Sequence, residues 1–150
     1  YLVQVEMMGS FNDALDAIKT TLEGDTALQS FCTSNFSAPL IVKRVFKRRT
    51  EISAFPVILI TRPEVKKMSL IGARDGIHTV RLYCGFHQPD KEKAQDNIIE
   101  FEELIDDALL APEPAALYAM NIKPTASVND EGMYHPHYFI VMDVEVHHRR

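Results

Sequence analysis

The chain has 150 residues, 46% hydrophobic and 25% charged, with a formal net charge of −5. That length suits one core and one domain spanning residues 1–150, and the net negative charge does not advertise nucleic-acid binding. Two cysteines far apart in sequence, Cys32 and Cys84, form no disulfide framework; both sit in apolar settings, so reduced, buried thiols are expected.

In chain order, Ser10 is placed to cap a helix in which Phe11, Leu15, Ile18 and Leu22 recur at helical spacing. Gly24 ends it as a left-handed residue just past the helix. Asp25 or Thr26 caps a shorter second turn with Leu28 and Phe31 facing inward, and residues 35–39 connect onward. Leu40 to Glu51 is β-like and very basic. Phe55 to Thr61 is a near-continuous apolar run, as in a strand buried on both faces, with Pro56 at its start. Arg62 to Gly76 is polar and rich in turn residues and reads as a long hairpin loop.

A half-buried strand follows, with His78, Val80, Leu82, Cys84 and Phe86 on one side and Thr79, Arg81, Tyr83 and His87 on the other. Asp90 caps a helix whose stripe is Ala94, Ile98, Phe101, Ile105 and Leu109; Pro112 and Pro114 stop it. Leu117 to Ile122 is a further strand candidate, and residues 129–132 form a turn. In the last strand Tyr138, Ile140, Met142, Val144 and Val146 form one face; its length and β-branched content place it centrally, paired on both sides. These elements specify an α+β fold: a mixed, mostly antiparallel β-sheet with two main helices packed on one face.

Charge is segregated along the chain. Residues 43–81 hold ten Lys or Arg against three acids, a balance of +7, with Lys43, Arg44, Lys47, Arg48 and Arg49 inside one seven-residue span. Residues 90–113 hold nine acids against two lysines, a balance of −7. Two separately solvated faces would account for this. A self-complementary subunit would too: the basic ribbon of Lys43, Arg44, Lys47, Arg48 and Arg49 would meet Glu92, Asp96, Glu100, Glu103 and Asp107 of the next copy, and head-to-tail contacts of this kind close into rings. Only Phe46 interleaves the basic cluster, so no base-stacking platform is implied, and contact with nucleic acid would be confined to its backbone.

Catalytic and metal signatures are sparse. The paired histidines His135/His137 and His147/His148 invite a metal reading, but Pro136 interrupts the first pair and no cysteine lies near either, so surface histidines at strand ends are expected. The adjacent pairs Glu102-Glu103 and Asp106-Asp107 point to different helix faces and cannot work as a fixed carboxylate pair. No Gly-rich phosphate loop, Gly-x-Ser-x-Gly elbow or Cys-x-x-Cys occurs, so no enzyme activity, cofactor or metal is expected. No apolar run reaches the roughly 18 residues of a membrane span, and no signal peptide is visible. The chain opens at Tyr1 rather than at a methionine, which leaves room for residues upstream.

One resemblance adds to this reading. The strand opened by Gly76-Ile77-His78-Thr79-Val80-Arg81-Leu82, the acidic helix within Gln88 to Leu110, and the closing His135-Pro136-His137-Tyr138-Phe139-Ile140-Val141-Met142-Asp143-Val144-Glu145-Val146 are similar in order and texture to the tail-terminator and tail-completion proteins of tailed bacteriophages, the group that includes the lambda minor tail protein U. It covers roughly residues 8–148 and contains no diagnostic motif. The resemblance implies a mixed sheet with helices on one side and a ring, hexameric in the group, on the last layer of the tail tube. Such a ring ends tube polymerisation and joins the tail to a neck or connector protein at the tail–neck junction of the virion, after assembly in the host cytoplasm. DNA passes through its lumen without specific recognition. It also implies that Val65, Lys66, Lys67, Met68, Leu70 and Arg74 belong to a contact arm toward the tail tube protein or the neck. A head-closure or tail-tube role in the same assembly is the neighbouring alternative. A partner-binding adaptor with a concave apolar pocket is the other.

Overall fold

The computed structural model describes residues 10–70, 73–111 and 121–149, with side chains for all of these but 68–70, 73–75 and 149. Helix α1 spans Phe11–Gly24, α2 Thr26–Phe36 and α3 Lys91–Leu110; the strands are β1 Ile41–Lys43, β2 Val57–Leu70, β3 Ala73–His87, β4 Asn121–Asn129 and β5 His137–Arg149. The five strands lie in the order β1-β2-β3-β5-β4, antiparallel except for the parallel β1–β2 pair. This is the α+β fold with a mixed, mostly antiparallel sheet that the alternating strands require, built with three helices among the described residues rather than two.

Local chemistry sets the helix ends. The Ser10 hydroxyl accepts from the Asn12 N–H at 3.1 Å, and the Asp90 carboxylate accepts from Glu92 and Lys93. Between α1 and α2 one residue does two jobs. Asp25, at φ −71 and ψ 118, breaks the first helix, and its carboxylate accepts from the Leu28 N–H at 2.9 Å to start the second. Gly24 is therefore the last helical residue rather than a left-handed cap, and the expected short turn after it is an eleven-residue helix. Helix α3 stops at Ala111, whose extended φ −60 and ψ 141 is the conformation a following proline demands.

One core forms between the helices and one sheet face. Leu15, Ile18 and Leu22 of α1, Leu28 and Phe31 of α2, and the predicted α3 stripe meet Val80, Leu82, Cys84 and Phe86 of β3 and Tyr138, Ile140, Met142, Val144 and Val146 of β5. Phe31, Phe36, Phe86, Phe101 and Tyr138 form one ring cluster in it, with stacked contacts at Phe31–Phe101, Phe36–Phe86 and Phe86–Tyr138 and edge-on contacts at Phe31–Phe36 and Phe86–Phe101. A polar thread crosses its edge: the Gln88 side-chain amide donates to Asn97 Oδ1 at 3.0 Å, and Asn97 donates to Asn35 Oδ1 at 3.3 Å, tying α3 to α2 and to the end of β3. Strand β5 is central, as its composition predicts, with β3 and β4 on its two sides.

Two sequence expectations fail in instructive ways. Arg62 to Gly76 is not a loop. After an irregularity between Thr61 and Glu64, β2 and β3 pair continuously from Glu64↔Thr79 to Leu70↔Ala73 as a long hairpin arm. Its polar residues pair because β3 is itself held by β5 as far as Asp75↔Arg149. Leu40 to Glu51 is strand only over β1; the rest is irregular apart from a single 3-10 turn at Arg49–Glu51. The expected strand at 117–122 lies outside the described residues up to position 120; Asn121 and Ile122 are strand, and β4 continues through Asn129, the first residue of the expected turn at 129–132. The turn occupies residues 131–136, after the strand.

Candidate assembly surfaces

A parallel strand pair cannot be joined by a tight turn; it needs a crossover of a dozen or more residues. Residues 44–56 are that crossover, and α1 to α3 already occupy one sheet face, so the basic segment crosses the other. Val57 and Leu59 of β2 and Phe139 of β5 point to this second face and are buried there, apart from the main core. Phe55 stacks on His137 at 4.6 Å and lies edge-on to Phe139 at 6.0 Å. Gly85 stands opposite Val57 and Phe139, and a Cβ there would sit 3.1 Å from the Phe55 ring and 3.2 Å from Phe139, so the aromatic packing occupies the space a side chain would need.

The crossover does not lie flat. Between it and the sheet is a cleft of about 630 Å³. Leu59, Tyr83 and Val141, paired in one row across the sheet, line its sheet side with Phe139; Val45, Lys47, Arg48, Arg49 and Ile52 line it from the crossover. Glu51 also lines it, with its carboxylate accepting from the Arg48 backbone N–H at 2.8 Å. Phe46 projects outward, 84% exposed.

The predicted basic ribbon is thus divided in space. Arg44 turns toward α1, bonding Asp16 at 2.6 Å and the Asn12 side chain at 2.7 Å. Arg49 lies over the rings of Tyr134 and Phe139, at 4.9 and 5.2 Å from their centroids. Lys43, Lys47 and Arg48 are exposed. Farther along, Arg81 makes a two-point bond to Asp143 across β3 and β5, at 2.8 and 3.1 Å, and Arg62 meets His78. Exposed lysines without an ion pair among the described residues also stand on the arm, Lys66 and Lys67, on the first turn of α3, Lys91 and Lys93, and on β4, Lys123.

The acidic side lies on the opposite face of the molecule. Helix α3 buries Ala94, Ile98, Phe101, Ile105 and Leu109 against the sheet, so Glu92, Asp96, Glu100, Glu103 and Asp107 point away from it, and all five are exposed. Among the described residues no ion pair engages any of them. Asp106 beside them has its carboxyl raised above the usual range by burial and by the charges of Glu102 and Asp107. Two apolar residues share the acidic face, Ile99 at 52% and Leu110 at 55% exposure. Sequence reasoning passed over both. Their signal was an aliphatic side chain on the charged side of the helical wheel.

In the arm, Val65 is half-buried and Lys66 and Lys67 are exposed; the side chains of Met68, Leu70 and Arg74 lie outside the described set. From Ile60 onward the outer edge of β2 has no strand neighbour among the described residues, since β1 pairs only with Val57–Leu59.

The histidines are not uniformly at the surface. His135 is exposed and bonds the Tyr138 hydroxyl at 2.7 Å, and His147 is exposed. His148 is buried, because the β5 alternation turns it to the helix side, where it packs edge-on to Phe11 and His78. His78 stacks face to face on Phe11 at 3.6 Å. Burial, with Arg62 and His148 nearby, lowers the His78 pKa to about 4. Among the described residues no group of three or more His, Cys, Asp or Glu is placed to hold a metal ion, and no helix is long and apolar enough to cross a membrane. Cys32 and Cys84 are both free and buried, as expected. Comparison with protein-family models and with curated proteins finds no match for this chain.

Proposed function

We propose that this chain is a structural subunit of a ring at the head-proximal end of a phage tail tube, where it ends tube polymerisation and joins tail to neck. One observation carries the reading: the basic crossover and the unpaired acidic helix face lie on opposite sides of the sheet. A head-to-tail interface needs two different, non-overlapping and complementary patches on one subunit, and repeating such a contact closes a ring. The tip of the β2–β3 hairpin, Ser69↔Arg74 and Leu70↔Ala73, which continues past the Asp75↔Arg149 pair, supports an axial contact to a tube or neck protein. Native mass spectrometry with negative-stain electron microscopy tests the proposal. A six-fold species and ring-shaped particles are expected; a strict monomer at high protein concentration would overturn it.

A second reading has an observation in its favour. A concave cleft with apolar side chains in its lining is what a partner-binding adaptor would carry, and the crossover cleft has that form. An adaptor would stay monomeric or dimeric while binding its ligand, so the same measurement separates the two.

A further inference from the structure

The two exposed aliphatic residues of α3 are placed unlike ordinary surface residues. Ile99 has Asp96 and Glu103 within one turn, at i−3 and i+4, and Glu92 two turns back on the same side. It is therefore an apolar knob, half-exposed, with these carboxylates along one side; on its other side it borders a second cleft with Lys91, Gln95 and Asn129. The crossover cleft offers a complement: Leu59, Tyr83, Phe139 and Val141 on its sheet side, with Lys47, Arg48 and Arg49 on the crossover beside one acid, Glu51.

We propose that the crossover cleft receives Ile99 of a second copy of this chain, with Asp96 and Glu103 of that copy meeting Lys47 and Arg48 on the crossover. The inference rests on the ring reading and sharpens it. Charge alone would hold two subunits loosely and in many registers, since exposed pairs contribute little and are screened by salt. An aliphatic side chain seated against the sheet side of the cleft adds the non-directional drive of burial, and the carboxylates beside it fix its orientation. A volume of about 630 Å³ admits more than one side chain, so part of the flanking helix surface enters with the knob. The cleft and the knob lie on opposite faces of one chain, so neither can satisfy the other within a monomer. Each subunit then gives one knob and takes one.

Disulfide trapping tests the contact, and the chain is well suited to it. Cys32 and Cys84 are buried, and burial pushes the Cys32 thiol up to about 12, so the native cysteines stay silent under mild oxidation. Lys47→Cys and Asp96→Cys, introduced together at two exposed positions, should give a ladder of disulfide-linked species on a non-reducing gel. Either single variant should give a dimer at most. Ile99→Asp should raise the concentration needed for assembly at least tenfold, Ile99→Leu should leave it within about twofold, and circular dichroism should report an unchanged fold for both. If the wild type forms rings by native mass spectrometry but the double-cysteine chain gives no ladder and Ile99→Asp assembles normally, the knob is wrong and the ring reading stands. A wild type that stays monomeric overturns the ring reading and this inference with it.

Discussion

His78 and Asn97 are polar residues whose positions fix what acid and truncation will do. His78 is held near 4 against an ordinary 6.5, first by burial and then by Arg62 and His148. Between those two values the unfolded chain binds a proton at this site that the native chain refuses. Stability from this residue is therefore complete above pH 6.5 and falls as pH drops toward 4, by about 3 kcal/mol in all. His137, lowered by burial and by His87, acts in the same direction. Denaturant melts across pH 4–7 should slope downward with acid, and His78→Gln should flatten the slope without abolishing it; an unchanged slope would contradict the account. Asn97, 6% exposed, is the middle of the thread between Gln88 and Asn35. Asn97→Ala strands the Gln88 amide in a buried site and should cost about 1–3 kcal/mol, read as a lower urea midpoint with an unchanged slope.

Among the elements, the hairpin arm and the crossover separate what holds the fold from what is free to contact other molecules. No residue between Ile60 and Val80 belongs to the described core cluster. Deleting residues 66–74 with a short turn in their place should therefore shift the melting temperature by only a few degrees, as thermal circular dichroism would show; collapse of the melt would mean the arm is structural. In the crossover, Arg49→Ala should cost about 0.5–1 kcal/mol through its lost contact with Tyr134 and Phe139, whereas Lys47→Ala should leave the melt unchanged. The sequence made β3, α3 and β5 legible because each has one buried face, and a single buried face writes its period into the residue order. Helix α2 was half legible: Leu28 and Phe31 marked its inner side, but Ser, Thr and Asn at its end mimic a turn. The arm was hidden because its polar residues carry no burial pattern; pairing with a strand anchored elsewhere creates it. The cleft was hidden for a related reason. It exists because β1 is parallel to β2, and parallel pairing of a three-residue strand leaves no trace in composition.

For the whole molecule, the segregation of charge along the chain becomes a segregation in space through topology. The parallel pair sends the basic segment across one face of the sheet, and the helix layer holds α3 on the other. Neither half of that statement follows from counting charges, and within the basic half Arg44 and Arg49 are already committed inside the chain. The central claim is that the two faces recognise each other between copies. Its most direct test mixes two purified variants and weighs the products by native mass spectrometry. One carries Lys47→Glu with Arg48→Glu, the other Asp96→Lys with Glu103→Lys. Each alone presents like charges on both faces and should stay monomeric; mixed, they should alternate around an even-numbered ring and restore a six-fold species of three copies each. Oligomers from either variant alone, or monomers after mixing, would contradict the account.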